Sequence, residues 1–329
     1  MMPRKIIIDT DYCTDVGDFG GLAVSLTAHR LGLIDIIGLI VCTSYAKAPY
    51  AVDAQRKWWG LPQLPIGKWN GSSVDATYQS YTAWVDRVWE FPFDVTAGQI
   101  LDSTVMYRTL LSTATEKVDI ATMGYLNALS ALLNSPADGI SPLTGTELVA
   151  AKVRKVFCMA GQYPSGTAEW NMRGGATARA DISTASNNVA VNCPVPVVWV
   201  GFEIASMGDT GTWAGGTFGR NTSTDMTASA YQSYTSGRPC WDEMENYAAI
   251  WDCADLDLTH GSQTVNTTTG VNTWTSNPSA KDAYVSKRVS NAWIKARMNQ
   301  FISATVTDNP ILASWGSAPG IMRIDGGAE

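Results

Sequence analysis

The residues best suited to chemistry stand together near the start of the chain: Asp9, Asp11, Asp15 and Asp18, four carboxylates within ten residues. Like charges this close repel one another, so the arrangement is costly unless a cation neutralises it or water screens it. Oxygen donors without a partnering His or Cys set favour a hard ion, Ca2+ first and Mg2+ second, over zinc. The same residues also suit a solvated acidic loop capping the following helix, because Asp is favourable near a helix N-terminus.

The elements around this cluster follow from hydrophobic periodicity. Residues 6–9 read as a buried strand ending in carboxylates, and 19–31 have helical spacing through Leu22, Leu26 and Leu31. Strands are expected at 34–41, 64–66, 118–121, 153–159 and 195–200, with helices near 50–59, 97–115 and 126–133. Unbroken Val/Ile strands alternating with helices predict an α/β fold, an open, mostly parallel central sheet flanked by helices on both faces. In such sheets ligands sit beyond the carboxyl ends of the strands, which gives weight to Asp9, Asp11, Thr43, Ser44 and Thr122. Residues 205–240 turn to Gly, Thr and Ser and are expected to form a long loop or capping insertion. A hairpin is expected at 265–274, turning near Thr269-Gly270, and a terminal helix at 283–302. The expected organisation is one domain over 1–304 and a tail, 305–329, to which no role is assigned.

Composition narrows the partners. Only 16% of residues are charged, against about 25% in typical soluble domains, and the formal net charge is −7. Without a basic block or an arginine stripe, nucleic acid and anionic membranes are poor partners and a small-molecule substrate fits better. The cysteines at 13, 42, 158, 193, 240 and 253 show no paired spacing and read as reduced thiols. The opening apolar run, Ile6-Ile7-Ile8, is too short for a signal-peptide core, and nothing approaches the roughly 20 apolar residues that span a bilayer. The expectation is a soluble cytoplasmic protein.

Three chemistries use an Asp-x-Asp after a first strand. A haloacid-dehalogenase-like phosphatase wants Thr or Val where Cys13 stands, and a glycosyltransferase places its motif deeper in the chain. The third has more company. Asp9-Thr10-Asp11, Thr14-Asp15 and Asp18 resemble the N-terminal signature of the nucleoside hydrolases, in its longer-loop variant. Asp119-Ile120-Ala121-Thr122-Met123-Gly124-Tyr125-Leu126-Asn127 is similar to that family's strand and T-G-x-L-T-N segment, and Ala168-Glu169-Trp170-Asn171 to its A-E-F-N. Arg238-Pro239-Cys240-Trp241-Asp242 resembles its late metal-binding segment, and Gly270-Val271-Asn272-Thr273-Trp274 a C-terminal G-x-N-x-W. The matches run in family order over about 5–303.

The resemblance implies a hydrolase that cuts the C–N bond of a riboside with Ca2+ bound. Asp11, Asp18 and Asp242 would be carboxylate ligands, Thr122 a main-chain ligand, and Asp11 also the base that activates water. Glu169 and Asn171 would hold sugar hydroxyls, and Trp170 and Trp241 would present rings to a flat aglycone. A homo-oligomer is also implied. Two departures stand out. Gly17 replaces a ribose-contacting aspartate, for which Asp15 is the candidate substitute, and Trp241 replaces a histidine that serves as leaving-group acid in many members. Of the two histidines, His29 reads as a surface or packing residue and His260 as a candidate for the site. A protein that binds nucleosides or sugars with little turnover is one alternative, discriminated by assaying substrate, and a metal-dependent phosphatase is the other, discriminated by phosphate release from a nucleotide.

Overall fold

The computed structural model describes residues 3–12, 15–76, 88–206, 225–232 and 238–304. Most of the expected 205–240 insertion, all of the 305–329 tail, and Cys13 and Thr14 lie outside them. The strands are β1 Arg4–Thr10, β2 Ile34–Val41, β3 Ile66–Lys68, β4 Ile100–Asp102, β5 Val118–Thr122, β6 Val153–Met159, β7 Val197–Val200, β8 Leu256–Val265, β9 Asn272–Ser276 and β10 Asp282–Lys287. They form one sheet in the order β4-β3-β2-β1-β5-β6-β7-β10-β8-β9. Pairing is parallel from β4 across to β10 and antiparallel for β10 with β8 and β8 with β9.

The helices are α1 Gly17–Arg30, α2 Ala48–Trp58, α3 Ser103–Thr113, α4 Asn127–Asn134, α5 Gly145–Lys152, α6 Trp170–Arg173, α7 Ala180–Asn192, α8 Glu203–Ser206, α9 Met226–Tyr231, α10 Trp241–Trp251 and α11 Asn291–Ser303. Strand alternation divides the core between two faces. Ile6 and Ile8 of β1 pack with buried residues of α1, α2, α10 and α11, whereas Ile7 joins those of α3, α4, α5 and α7. This is the α/β sandwich expected from the unbroken apolar strands. Below the sheet, Arg4 donates to the carbonyls of Ala249 (2.8 Å) and Ile250 (2.6 Å) and pairs with Asp119, tying the C-terminus of α10 to the strand starts.

Three expectations need correction. Residues 97–115 are not one helix: a 3-10 turn at Ala97–Gln99 leads into β4, and α3 starts only where the Asp102 side chain accepts from the Thr104 amide at 2.9 Å. Residues 283–302 begin as β10, with Ala283 and Val285 buried at a period of two, before Ser290 caps α11 by accepting from Trp293 N. The short strand expected at 64–66 lies at Ile66–Lys68. The hairpin near 265–274 is present as β8 and β9, with Gly270 at φ 74° in its turn. His29 is a packing residue of α1, its Nδ1 3.0 Å from the Ile36 amide. The five described cysteines are buried thiols, and no described helix is long and apolar enough to cross a membrane.

Candidate active site

Strand geometry sorts the acidic residues. In β1 the side chain of Asp9 points as Ile7 does, toward α3, where Tyr107 Oη donates to Asp9 Oδ2 at 2.6 Å. Its other oxygen is buried, and burial outweighs the hydrogen bonds from Tyr107 and the Cys42 thiol to push its pKa up to about 7. Thr10 points the other way and donates to Asp18 Oδ1 in the first turn of α1. Asp11, just past the strand end, is 3% exposed.

A cleft of about 200 Å3 opens at this end of the sheet. Asp11, Asp15 and Asp18 line it from the first loop and α1, Met123 and Met159 from the ends of β5 and β6, and Glu169, Trp170 and Asn171 from the start of α6. Phe202, after β7, and Arg238, Trp241 and Asp242, around the start of α10, complete it. Each contribution from the sheet comes from a strand's carboxyl end, where parallel strands leave room for a ligand.

The carboxylates are held close at an electrostatic cost. Asp18 is fully buried, and desolvation, then Asp11 and Asp242, raise its pKa well above the usual range. Asp242 is raised likewise by burial, Glu243 and Asp11. A Cβ built on Gly17 would overlap Asp242 Oδ2, so the missing side chain there is what lets the Asp242 carboxylate approach. Among the described residues no three acidic, histidine or cysteine side chains form a preassembled metal cage. Their donor chemistry nevertheless fits a hard cation: the carboxylates are oxygen donors, and Asp18 Oδ2 is buried without a hydrogen-bond partner.

Glu169 caps α6 and is pinned by the backbone. Its Oε1 accepts from Asn171 N (2.9 Å), and its Oε2 from Gly161 N (2.9 Å) and Met172 N (3.2 Å). Burial outweighs these bonds and pushes its pKa up to about 7. Asn171 Nδ2 donates to the carbonyls of Met123 (3.1 Å) and Met159 (2.9 Å), which anchors its side chain beside two strand ends. Trp170 Nε1 donates to Tyr125 Oη at 2.9 Å, and that hydroxyl pairs with Asp75. Trp241 is also fixed, with Nε1 donating to the Phe202 carbonyl at 2.8 Å and its ring stacked on Phe202 at 5.1 Å.

The structure thus gathers Asp11, Asp15, Asp18, Glu169, Trp170, Asn171, Trp241 and Asp242 around one cleft, and leaves out two candidates. His260 lies in β8 with Nδ1 3.1 Å from the Ala280 carbonyl and does not line the cleft. Thr122 is buried within β5, paired with Asp9 and Cys158, and the residue that reaches the cleft is Met123, one position past the strand. Asp15 is not an uncommitted sugar acceptor: it forms an ion pair with Arg238 and accepts from the amides of Val16 (2.6 Å) and Gly17 (3.2 Å). Arg238, which no periodicity marks, sits with its guanidinium 5.3 Å from the Trp241 ring centre. Phe202 and the two methionines are equally unmarked by periodicity, although Met159 ends a predicted strand and Met123 and Phe202 stand two residues past one.

No family model and no curated protein matches the sequence. Solved structures do. An inosine-uridine preferring nucleoside hydrolase from Bacillus anthracis superposes with a TM-score of 0.64 at 14% identity, covering 91% of this chain and 99% of its own. A purine-preferring ribonucleoside hydrolase from Gardnerella vaginalis gives 0.69 at 12% identity over 91% and 98%. The chain has the nucleoside hydrolase fold. A type III effector protein, XopQ, solved in complex with adenosine diphosphate ribose, shares this fold at a TM-score of 0.64 and 11% identity, over 92% and 93%.

In this nucleoside hydrolase-like fold the buried carboxyls set a pH dependence. Glu169 rises from 4.5 to about 7, so the folded chain keeps a proton that the unfolded chain releases between those values. Its stabilising contribution is therefore complete below pH 4.5 and lost as pH rises through 7. Asp9, at about 7, and Glu243, at about 8, act in the same direction. In chelator, the melting temperature should fall by roughly 5 °C or more between pH 5 and pH 8. A melting temperature that climbs over this range in calorimetry would contradict the burial of these groups.

Proposed function

We propose that this chain hydrolyses the N-glycosidic bond of a ribonucleoside or related riboside, releasing free base and ribose. The observation that carries the reading is convergence: the acidic loop, the Glu169–Asn171 turn and the start of α10, distant in sequence, line one cleft at the strand ends. Solved structures named as nucleoside hydrolases share the fold.

In this reading Asp11, Asp18 and Asp242 would hold Ca2+, with a main-chain carbonyl from the end of β5, at Thr122 or Met123. When bound, the cation polarises water and draws in sugar hydroxyl oxygens. Asp11 takes the proton of the attacking water, for which a carboxylate at the edge of the cleft is suited. Glu169 and Asn171 bind sugar hydroxyls from a rigid frame, since their backbone and amide bonds fix both side chains before substrate arrives. Trp241 and Phe202 form an aromatic wall for a flat aglycone, and a purine suits it.

Release of free base from purine ribonucleosides, followed by liquid chromatography, tests this reading. Trp241→Ala should weaken binding of a purine riboside about tenfold or more while leaving free ribose unaffected. Equal losses for both ligands would remove Trp241 from the aglycone wall.

A second reading, a protein that binds a riboside without turnover, is favoured by Arg238. Arg238 is committed to Asp15 and, as a guanidinium, delivers no proton at neutral pH, so neither it nor the indole of Trp241 serves as a leaving-group acid. XopQ was solved in complex with a ribose-bearing ligand, adenosine diphosphate ribose. Saturable binding of adenosine diphosphate ribose without release of any base would establish this reading over the first.

A further inference from the structure

A second cavity, of about 270 Å3, lies between α4 and α7, beside the segment that follows β3. Trp69, Asn127, Ser130, Asn134, Asp181 and Ala185 are among its lining residues, and no cationic side chain is among them. Its volume is near the lower end of the roughly 300–1,000 Å3 of small-molecule pockets, so a single small ring fits better than a nucleoside.

The lining alternates hydrogen-bond roles. Asn127 is 4% exposed; its Nδ2 donates to the Cys42 carbonyl at 2.9 Å, and its Oδ1 is buried without a partner. A buried amide oxygen in this state calls for a donor. Ser130 Oγ accepts from Asn188 Nδ2 at 2.9 Å and keeps its own O–H as a donor. Asp181 is aimed by Arg179 (2.8 Å) and by the Ser72 hydroxyl (2.8 Å), and these bonds hold its carboxyl down at about 2. An ionised carboxylate, here paired with Arg179, still accepts hydroxyl protons through its remaining lone pairs. Trp69 is fixed by donation from Nε1 to the Ser72 carbonyl at 2.7 Å and, with Ala131, Ile182 and Ala185, gives the wall an apolar part beside its polar groups.

Hydroxyl groups both donate and accept, and a sugar ring also presents C–H faces to an aromatic side chain. We propose that the α4–α7 cavity is a second binding site, specific for a neutral monosaccharide and separate from the cleft that holds Asp11. This inference does not depend on the reaction proposed above.

Fluorine NMR of the full chain labelled with 5-fluorotryptophan tests it, with resonances assigned by single Trp→Phe substitutions. Trp69 reports the second cavity, whereas Trp170 and Trp241 report the first cleft. Titration with D-ribose or D-glucose should shift the Trp69 signal saturably. Ala185→Phe, which fills the cavity, should abolish the Trp69 response. Asp181→Asn, which preserves shape, should weaken it at least fivefold, and this serves as the decisive variant if the larger substitution disturbs α7. A Trp69 signal unmoved at high-millimolar sugar, or moved equally in wild type and Asp181→Asn, would overturn the proposal, whatever happens at Trp170 and Trp241.

Discussion

Asp11→Asn is expected to lower turnover of a ribonucleoside by about 10²–10⁴-fold, the range that a positioned general base contributes. The substitution is isosteric at a residue only 3% exposed, so no cavity is created and the strand end keeps its course. It also removes one charge from a site where Asp11 helps to raise both Asp18 and Asp242. The cation-free variant should therefore melt at a higher temperature than the cation-free wild type. This pairing of lost activity with gained stability is what a strained functional cluster produces. Steady-state kinetics and calorimetry on the same preparation check both halves. Unchanged turnover would remove Asp11 as the base, and a lower melting temperature would mean that the cluster is not repulsive.

Gly124→Ala should have the second large effect, through a residue that carries no functional group. A Cβ on Gly124 would overlap the backbone nitrogen of Asp11 and stand 2.8 Å from Asp11 Cβ. The obstacle is the main chain where β1 ends, already paired with β2 and β5, so it has little freedom to move aside. Overpacking of this kind costs typically about 1–3 kcal/mol. A displacement of Asp11 by roughly 1 Å is enough to lose about 10² in rate. Gly139→Ala is the control, since nothing lies within 4 Å of a Cβ there, and it should leave stability and turnover unchanged. Equal behaviour of the two variants in melting and kinetics would show that the Gly124 contact is not what fixes Asp11.

The sheet was legible because its strands are buried on both faces and read as continuous apolar runs: β2 and β6 fall where Ile34–Val41 and Val153–Met159 mark them. The elements that escaped have weaker signals. β10 was absorbed into a helix because Asp282–Lys287 alternates over only six residues, and α7 is rich in Ser, Thr and Asn, with a blurred apolar stripe. At the cleft, Asp11, Asp15, Asp18, Glu169, Trp170, Asn171, Trp241 and Asp242 are visible as motif residues. Other details are not, for physical reasons. Whether Thr122 or Met123 faces the cleft is decided by where β5 stops, a matter of a single residue. Arg238 enters through its ion pair with Asp15, a contact across 223 positions that no local pattern encodes. His260 looked available only because its loop-like surroundings hid an edge-region strand, β8, that carries it elsewhere.

Release of free ribose from a panel of purine and pyrimidine ribonucleosides, by reducing-sugar assay with and without chelator pretreatment, tests the proposed reaction most directly. The account predicts release that chelator abolishes and added Ca2+ restores, strongest for a purine. Stoichiometric Ca2+ binding with no ribose released from any nucleoside would contradict it and leave a riboside-binding protein on a hydrolase fold.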